Sequence, residues 1–446
     1  MKLVNDIYDI MEKLNNNGYE AYLVGGAVRN RLLDLPVKDY DITTNAKPSE
    51  LIGLFKKTIL TGVKFGTVTV IVNGKDYEIT TYRRDYEYLD NRRPSVVRFS
   101  ERLEEDLLRR DFTINAICMD KEGRVIDLIG GMQDIQRKVI RAIGNPDIRF
   151  KEDALRMMRG IRLMTEIKFE IDSSTLASIK KNAFRTKYIS AERIQNELNK
   201  ILLSQKPSLG IYKMLETGIL DEIMPELLPC VGFDQHNSYH DKDVFDHTMM
   251  VLDETAPRLA LRLAALMHDI EKPHCLTFDE NGEGHFYGHH ITSAQTSRVI
   301  LKRLKYSNDL IDKVYRLIRY HPLKDMNIGE KGVKRFINKV GKDNIEDIFN
   351  LNYADILAKS TQKGIYRLKN MEEKTFVILN RKDPLSLNDL AISGKDLKEI
   401  GIREGPIMGM ILEKLMALVF EKPTENDREK LMYHAIKMIN KRADVQ

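Results

Sequence analysis

The chain has 446 residues, 42% of them hydrophobic, with 71 Lys and Arg against 66 Asp and Glu. That length exceeds one ordinary core and predicts more than one domain, while so small a positive excess permits a polyanionic partner without demanding one. Cys118, Cys230 and Cys275 are scattered without CxxC spacing, which argues against a disulfide framework or a thiolate zinc site; no apolar run approaches the ~18 residues of a membrane span, and the N-terminus alternates charged with apolar residues at helical spacing, which argues against a membrane span and a signal peptide, so a soluble cytoplasmic protein is expected.

The first third of the chain alternates β-rich stretches (Tyr22 to Val24, Thr67 to Val72, Tyr77 to Tyr82, Arg124 to Leu128) with short helical patterns. Gly130-Gly131, Gly144 and Pro146 then punctuate the pattern, and nearly everything beyond reads as amphipathic helix. The expected fold is an α/β (α+β) head on a long α-helical remainder.

Leu23-Val24-Gly25-Gly26-Ala27-Val28-Arg29 reads as a strand, a glycine turn and the start of a helix. That arrangement turns backbone N–H groups and the positive helix end toward an anion, and Arg29 adds a charged fork; the same turn also occurs with no ligand. The spacing predicts a strand over Val37 to Ile42, whose period of two sends Asp39 and Asp41 to one face. Glu78 falls on another predicted strand, Asp76 to Tyr82. Three carboxylates can hold two Mg²⁺ ions for an in-line displacement at phosphorus, or they are solvated charges at strand ends.

Gly25-Gly26-x-x-Arg29 followed by Asp39-x-Asp41 resembles the signature of polymerase-β-type nucleotidyltransferases. With the later blocks Glu104 to Ala116 and Phe150 to Arg156, the chain resembles bacterial class II tRNA nucleotidyltransferases, the family of CCA-adding enzymes and poly(A) polymerases. The resemblance implies a catalytic head over 1–138, a helical neck over 139–225, a body over 226–365 and a tRNA-binding tail over 366–446. It implies catalysis by Asp39, Asp41 and Glu78, Mg²⁺ on Asp39 and Asp41, and nucleotide contacts from Gly25, Gly26, Arg29, Arg110 and Asp111. Asp153 and Arg156, three positions apart on a predicted helix, would share one face and select the base. Cytosine and adenine both present an amino group beside an unprotonated ring nitrogen, so this pair would admit CTP and ATP. Uracil and guanine would leave buried polar groups unpaired, at on the order of 1–3 kcal/mol each.

Arg159 and Arg162 continue the same predicted helix as a basic ridge for triphosphate or the tRNA acceptor end, or as a solvated face. The polar stretch Tyr86 to Pro94, with Asp90, Arg92 and Arg93, resembles the flexible loop of enzymes that add the terminal A. Asn30 departs from the family pattern, which has Asp after the Arg of the glycine block. A poly(A) polymerase or an enzyme that adds only A is the alternative within the family. Val63, in Gly62-Val63-Lys64-Phe65, stands where poly(A) polymerases carry a basic residue, which favours CCA addition.

Nine of the ten histidines fall between His236 and His321. Helical patterns carry His247, the adjacent pair His268-Asp269, and Asp355, a set of four metal ligands from separate helices. This set resembles the HD phosphohydrolase superfamily, with His289, His290 and His321 matching further histidines of such domains. The resemblance implies a divalent transition metal and a possible phosphohydrolase activity; Glu271 departs from it by placing a carboxylate where the pattern has Gly. A non-catalytic RNA-binding protein that senses nucleotides through the HD region is the reading from another class, and the three head carboxylates argue against it. Gly394, Gly401, Gly405 and Gly409, with Lys395, resemble the family's tRNA-gripping tail, or simply end helices. The sequence leaves the oligomeric state open.

Overall fold

Val, Ile, Thr and Tyr at alternate positions build strands in the first third of the chain. In the computed structural model these strands form a mixed seven-stranded sheet. The structure describes residues 4–60, 62–88, 94–236, 242–323, 328–359, 361, 364–381 and 383–443. The chain divides into two compact units, Met1–Leu228 and Pro229–Gln446.

The first unit carries β1 (Ala21–Val24), β2 (Asp41–Thr44), β3 (Thr58–Ile59), β4 (Thr67–Val72), β5 (Lys75–Thr81), β6 (Arg83–Tyr88), β7 (Pro94–Phe99), β8 (Cys118–Met119), β9 (Val125–Ile126), β10 (Val139–Ile140) and β11 (Glu170–Ile171). The large sheet runs β3-β4-β5-β2-β1-β8-β9, β6 and β7 form a separate hairpin, and β10 pairs with β11. β2 and β5 are parallel in the register Asp41↔Glu78. Asn73 and Gly74 join β4 to β5 with φ of 50° and 77°, the positive values that a two-residue hairpin turn requires. Alternation sends Val68, Val70, Tyr77 and Ile79 into the core and turns Glu78 to the opposite face.

The predicted strand over Val37 to Ile42 is shorter than expected, because β2 begins only at Asp41. Asp41 pairs with Val24, the last residue of β1, and Gly25 then turns away with φ 78°, so residues 37–40 have no continuing antiparallel partner. Asp39 therefore lies in the loop before the strand rather than on its face.

Helices cover the sheet and continue beyond it: α1 (Asn5–Asn16), α2 (Gly26–Leu32), α3 (Pro48–Leu54), α4 (Leu103–Leu108), α5 (Gly131–Arg137), α6 (Pro146–Glu152), α7 (Leu155–Ile167), α8 (Ser173–Asn182), α9 (Ala191–Leu202), α10 (Ser208–Thr217) and α11 (Ile219–Ile223). The apolar stripe of α1, Ile7, Ile10, Met11 and Leu14, is completely or almost completely buried.

The second unit is helical apart from the hairpin of β12 (Leu276–Phe278) and β13 (Gly284–Phe286). Its helices are α12 (Val244–Glu254), α13 (Leu259–Met267), α14 (His289–Arg303), α15 (Asn308–Tyr320), α16 (Glu330–Val340), α17 (Ile345–Leu357), α18 (Ile365–Asn380), α19 (Gly394–Glu399), α20 (Pro406–Glu421) and α21 (Arg428–Ala443). The last three share an apolar core that includes Leu397, Ile411, Leu415, Val419 and Leu431. Gly401 and Gly405 hold positive φ between helices, Gly394 opens α19, and Gly409 lies inside α20.

Candidate active site and metal cluster

Parallel pairing of β2 with β5 sets the Asp41 and Glu78 carboxylates side by side, and Asp39 approaches from the preceding loop. Burial raises the pKa of Asp41, Arg110 opposes the shift and Asp39 adds to it. Glu78 is raised by burial and then by the charges of Asp41 and Asp39. All three residues keep an open surface, yet none of their carboxylates makes a hydrogen bond or ion pair with a described residue. Mutually repelling hard oxygens without protein partners fit a divalent cation. Gly25 is glycine for its backbone, whose φ of 78° strains any side chain; a Cβ there would make only ordinary contacts, 3.5 Å from Asp41 Oδ2 and 3.7 Å from Arg110 Nη1.

Asp39 and Asp41 open onto a cleft of about 710 Å³. Gly25, Gly26 and Arg29 line it from the glycine turn and α2, Arg110 and Asp111 from the segment after α4, and Arg159 and Arg162 from α7. Nine basic side chains against five acidic ones line this cleft, an excess suited to a polyphosphate. Asp111 anchors the basic wall: Oδ1 accepts the Phe112 N–H at 2.8 Å and Asn115 Nδ2 at 3.1 Å, and Oδ2 accepts Arg159 Nε at 2.7 Å. Burial works against this carboxylate, but Arg159 and Asn115 hold its pKa far below the usual range. Arg110 and Arg109 share Asp106 at 3.1 and 2.6 Å. Arg162 is mostly buried and lies 3.2 Å from Glu197, so it is not a solvated residue.

The base-selection pair differs from expectation. Asp153 is not on a helix: its φ of −147° and ψ of 105° break the chain between α6 and α7, and Oδ1 accepts the Leu155 N–H at 3.1 Å. Arg193 of α9 grips the Asp153 carboxylate with two hydrogen bonds of 3.1 and 2.7 Å. Arg156 lies on α7 and donates to Glu152 at 2.7 Å and to the Arg109 carbonyl at 2.9 Å. Asp153 and Arg156 both line the cleft, but they do not share a helix face. Arg109, Asn115, Arg193 and Lys200 also line it and were not expected. Asn115 belongs to the Arg-Asp-Phe-Thr block, a signal that could have found it; Arg193 and Lys200 carry none. Asp90, Arg92 and Arg93 lie outside the described residues.

Residues 21–141 match the family described as "Poly A polymerase head domain", 168–230 that described as "Probable RNA and SrmB-binding site of polymerase A", and 288–435 that described as "tRNA nucleotidyltransferase domain 2 putative". The CCA-adding enzyme of Ligilactobacillus salivarius is 35% identical over 437 residues, covering 97% of this chain and 96% of that protein. That of Pediococcus pentosaceus is 32% identical over 423 residues, covering 95% of each. The chain belongs to the CCA-adding enzyme family.

The Bacillus stearothermophilus CCA-adding enzyme in complex with CTP superposes with a TM-score of 0.71 at 28% identity, covering 99% of both chains. The Thermotoga maritima CCA-adding enzyme complexed with tRNA shares the fold at a TM-score of 0.57 and 19% identity, over 97% of this chain and 95% of that one. Nucleotidyltransferases of the CCA-adding enzyme family use divalent metals, and the three carboxylates suit one. Among the described residues, no helix is long and apolar enough to cross a membrane.

A second cluster occupies the other unit of this CCA-adding enzyme relative. His247 projects from α12 and Asp355 from α17, while His268 and Asp269 lie in the turn after α13 rather than within a helix. His247 Nε2 is 3.0 Å from Asp355 Oδ1, and His268 Nε2 is 3.1 Å from Asp269 Oδ2. His289, which opens α14, and His321, just after α15, bring Nε2 to 3.3 and 3.9 Å from Asp269 Oδ1. Asp269 thus stands between two potential ligand groups, His247–His268–Asp355 and Asp269–His289–His321, each with its donor atoms within 4.8 Å of one another.

The tautomers are set by backbone. Nδ1 of His268, His289 and His321 lies 2.8, 2.7 and 2.7 Å from the carbonyls of Ala265, Phe286 and Ile318, so it must donate the proton. Their Nε2 lone pairs are left facing carboxylate oxygens, acceptor against acceptor, and His268 Nε2, His289 Nε2 and Asp269 Oδ1 are buried without a satisfied hydrogen bond. A shared cation resolves that conflict, and imidazole with carboxylate suits a divalent transition metal. Lys272 and Lys359 reach Asp269 and Asp355 at 2.7 and 2.6 Å. The Glu271 carboxylate does not join the cluster; Thr296 and His274 engage it at 2.6 and 3.2 Å.

Proposed function

We propose that the protein adds or repairs the 3′-terminal CCA of tRNA, transferring nucleotides from CTP and ATP with release of pyrophosphate. The observation that carries this reading is the cleft in which unpartnered Asp39 and Asp41, with Glu78 beside them, face an excess of basic side chains. Asp39, Asp41 and Glu78 would hold Mg²⁺, which when bound supplies charge stabilisation to the attacking 3′-oxygen and the leaving pyrophosphate. Arg29, Arg110 and Arg159 hold the triphosphate, and Asp111 keeps Arg159 aimed into the cleft. Asp153, oriented by Arg193, accepts from the exocyclic amino group of cytosine or adenine, and Arg156 donates to the ring nitrogen beside it. The division into head (1–138), neck (139–225), body (226–365) and tail (366–446), and a cytoplasmic location, belong to the same proposal.

Incubation with tRNA lacking CCA and labelled CTP and ATP, singly and together, tests the reading. Ordered addition of two C residues and one A is expected. A tails without dependence on CTP would instead indicate a poly(A) polymerase, and use of tRNA ending in CC alone an A-adding enzyme. Arg193→Ala is expected to loosen base choice: with Asp153 no longer held, discrimination against UTP and GTP falls by about tenfold or more, read by competition for one tRNA.

The histidine cluster favours a second, separate activity, metal-dependent phosphohydrolysis. A 2′,3′-cyclic phosphate at a damaged tRNA end is a coherent substrate for a protein that repairs such ends. Release of phosphate or ring opening in the presence of added divalent metals tests it.

A further inference from the structure

Arg29 is buried in the cleft wall, yet its partners are neutral amides: Nε and Nη2 donate to Asn30 Oδ1 at 3.1 and 2.8 Å, and Nη1 donates to Asn115 Oδ1. No carboxylate of a described residue pairs with it. Burial, with Arg162 nearby, brings the Arg29 pKa down to about 10 against the weaker opposing pull of Glu166 and Asp111, neither of them bonded to it, still well above neutrality, so the guanidinium keeps its charge. The opposite end of the Asn30 amide is also used. Nδ2 donates to the Pro36 carbonyl at 2.9 Å, and the Asn30 carbonyl accepts the Leu35 N–H at 2.8 Å. Both bonds tie the loop that carries Asp39 to the end of α2.

We propose that Asn30 is a positioning residue, its amide aiming Arg29 as an unneutralised cation at the nucleotide phosphates while tethering, through Pro36, the loop that bears Asp39. The inference rests on the reading of the cleft as a CTP and ATP site. An aspartate, which the family pattern has at this position, reproduces only half of the device. It accepts from Arg29 but neutralises it, and it sets a carboxylate oxygen against the Pro36 carbonyl where a donor is needed. In this chain the amide thus keeps the orientation of the arginine and leaves its charge available to the substrate.

The test is CTP and ATP binding to the full-length protein in EDTA, which separates the arginine from metal-dependent effects at Asp39. Asn30→Asp is expected to weaken binding about tenfold, the scale of one charge-assisted contact, and to flatten its dependence on salt. In an Arg29→Met background the same substitution should change affinity by less than about twofold, because the interaction it modifies is gone. With Mg²⁺ and tRNA, Asn30→Leu is expected to lower kcat as well as raise KM, since it also releases the Asp39 loop. Wild-type affinity in Asn30→Asp, or an equal loss with and without Arg29, overturns the proposal. Failure of the wild-type protein to bind either nucleotide would overturn the reading of the cleft instead.

Discussion

Asp41→Asn is expected to lower nucleotide incorporation by about a thousandfold or more while making the metal-free protein slightly more resistant to heat. The two effects share a cause. Asp41 and Glu78 are register partners with raised pKa values, burial being the main contribution and mutual repulsion the next one for Glu78. Carboxylates with folded pKa values above their unfolded ones favour the folded state when protonated. Their contribution is therefore lost as pH rises from the unfolded pKa through the folded one, and at neutral pH the ionised pair is a liability. Removing one charge relieves it, by less than the ~1.4 kcal/mol of a full pKa unit because both groups face solvent. Thermal unfolding with and without Mg²⁺ reads the outcome: the ion should raise the Tm of the wild-type protein and leave Asp41→Asn almost unmoved. A variant that loses stability and keeps its activity would remove Asp41 from the metal set.

Features fixed by local chemistry were legible in the sequence. The glycine turn at Gly25-Gly26, the alternation that places Glu78 opposite Tyr77 and Ile79, and the helix that carries Arg159 and Arg162 need only neighbouring residues to be recognised. Features set by partners distant in sequence were not. Asp39 lies off the strand because β1 ends at Val24, a fact about another element. The helix expected across Asp153 is broken, and the carboxylate is held by Arg193 from 40 residues away, where an amphipathic helix gives no hint of such a role. In the second unit the spacing of His247, His268-Asp269 and Asp355 signalled a cluster. That Asp269 would also face His289 and His321 through its other oxygen depends on where α14 begins and α15 ends beside the α13 turn. The direction of the Glu271 carboxylate is likewise set by a distant partner, since Thr296 donates to it.

The second large effect concerns Asp269. Both carboxylate oxygens face imidazoles, His268 and His247 on one side and His289 and His321 on the other, and Lys272 lies 2.7 Å away. Asp269→Asn keeps the volume but removes the one anion, among the described residues, that approaches all four rings, and its amide nitrogen would then point at imidazole lone pairs or at Lys272. Divalent-metal affinity is expected to fall by at least ~100-fold, because a ligand is lost together with the group that orients its neighbours. Metal-dependent phosphohydrolysis should disappear with it. Lys272 is almost fully buried and would lose its anionic partner, with only the neutral oxygens of Gln235 and the new amide left to accept from it, so unfolding should become easier by on the order of 3 kcal/mol. His268→Ala, which removes one ligand and leaves the Asp269–Lys272 pair intact, should reproduce the metal loss with a smaller stability change. CCA addition by both variants should continue at the wild-type rate below their Tm, because Asp39, Asp41 and Glu78 belong to the first unit. Metal content by elemental analysis, hydrolysis and nucleotide incorporation measured on one preparation decide the matter; retention of metal by both variants would mean that the histidines serve only as packing.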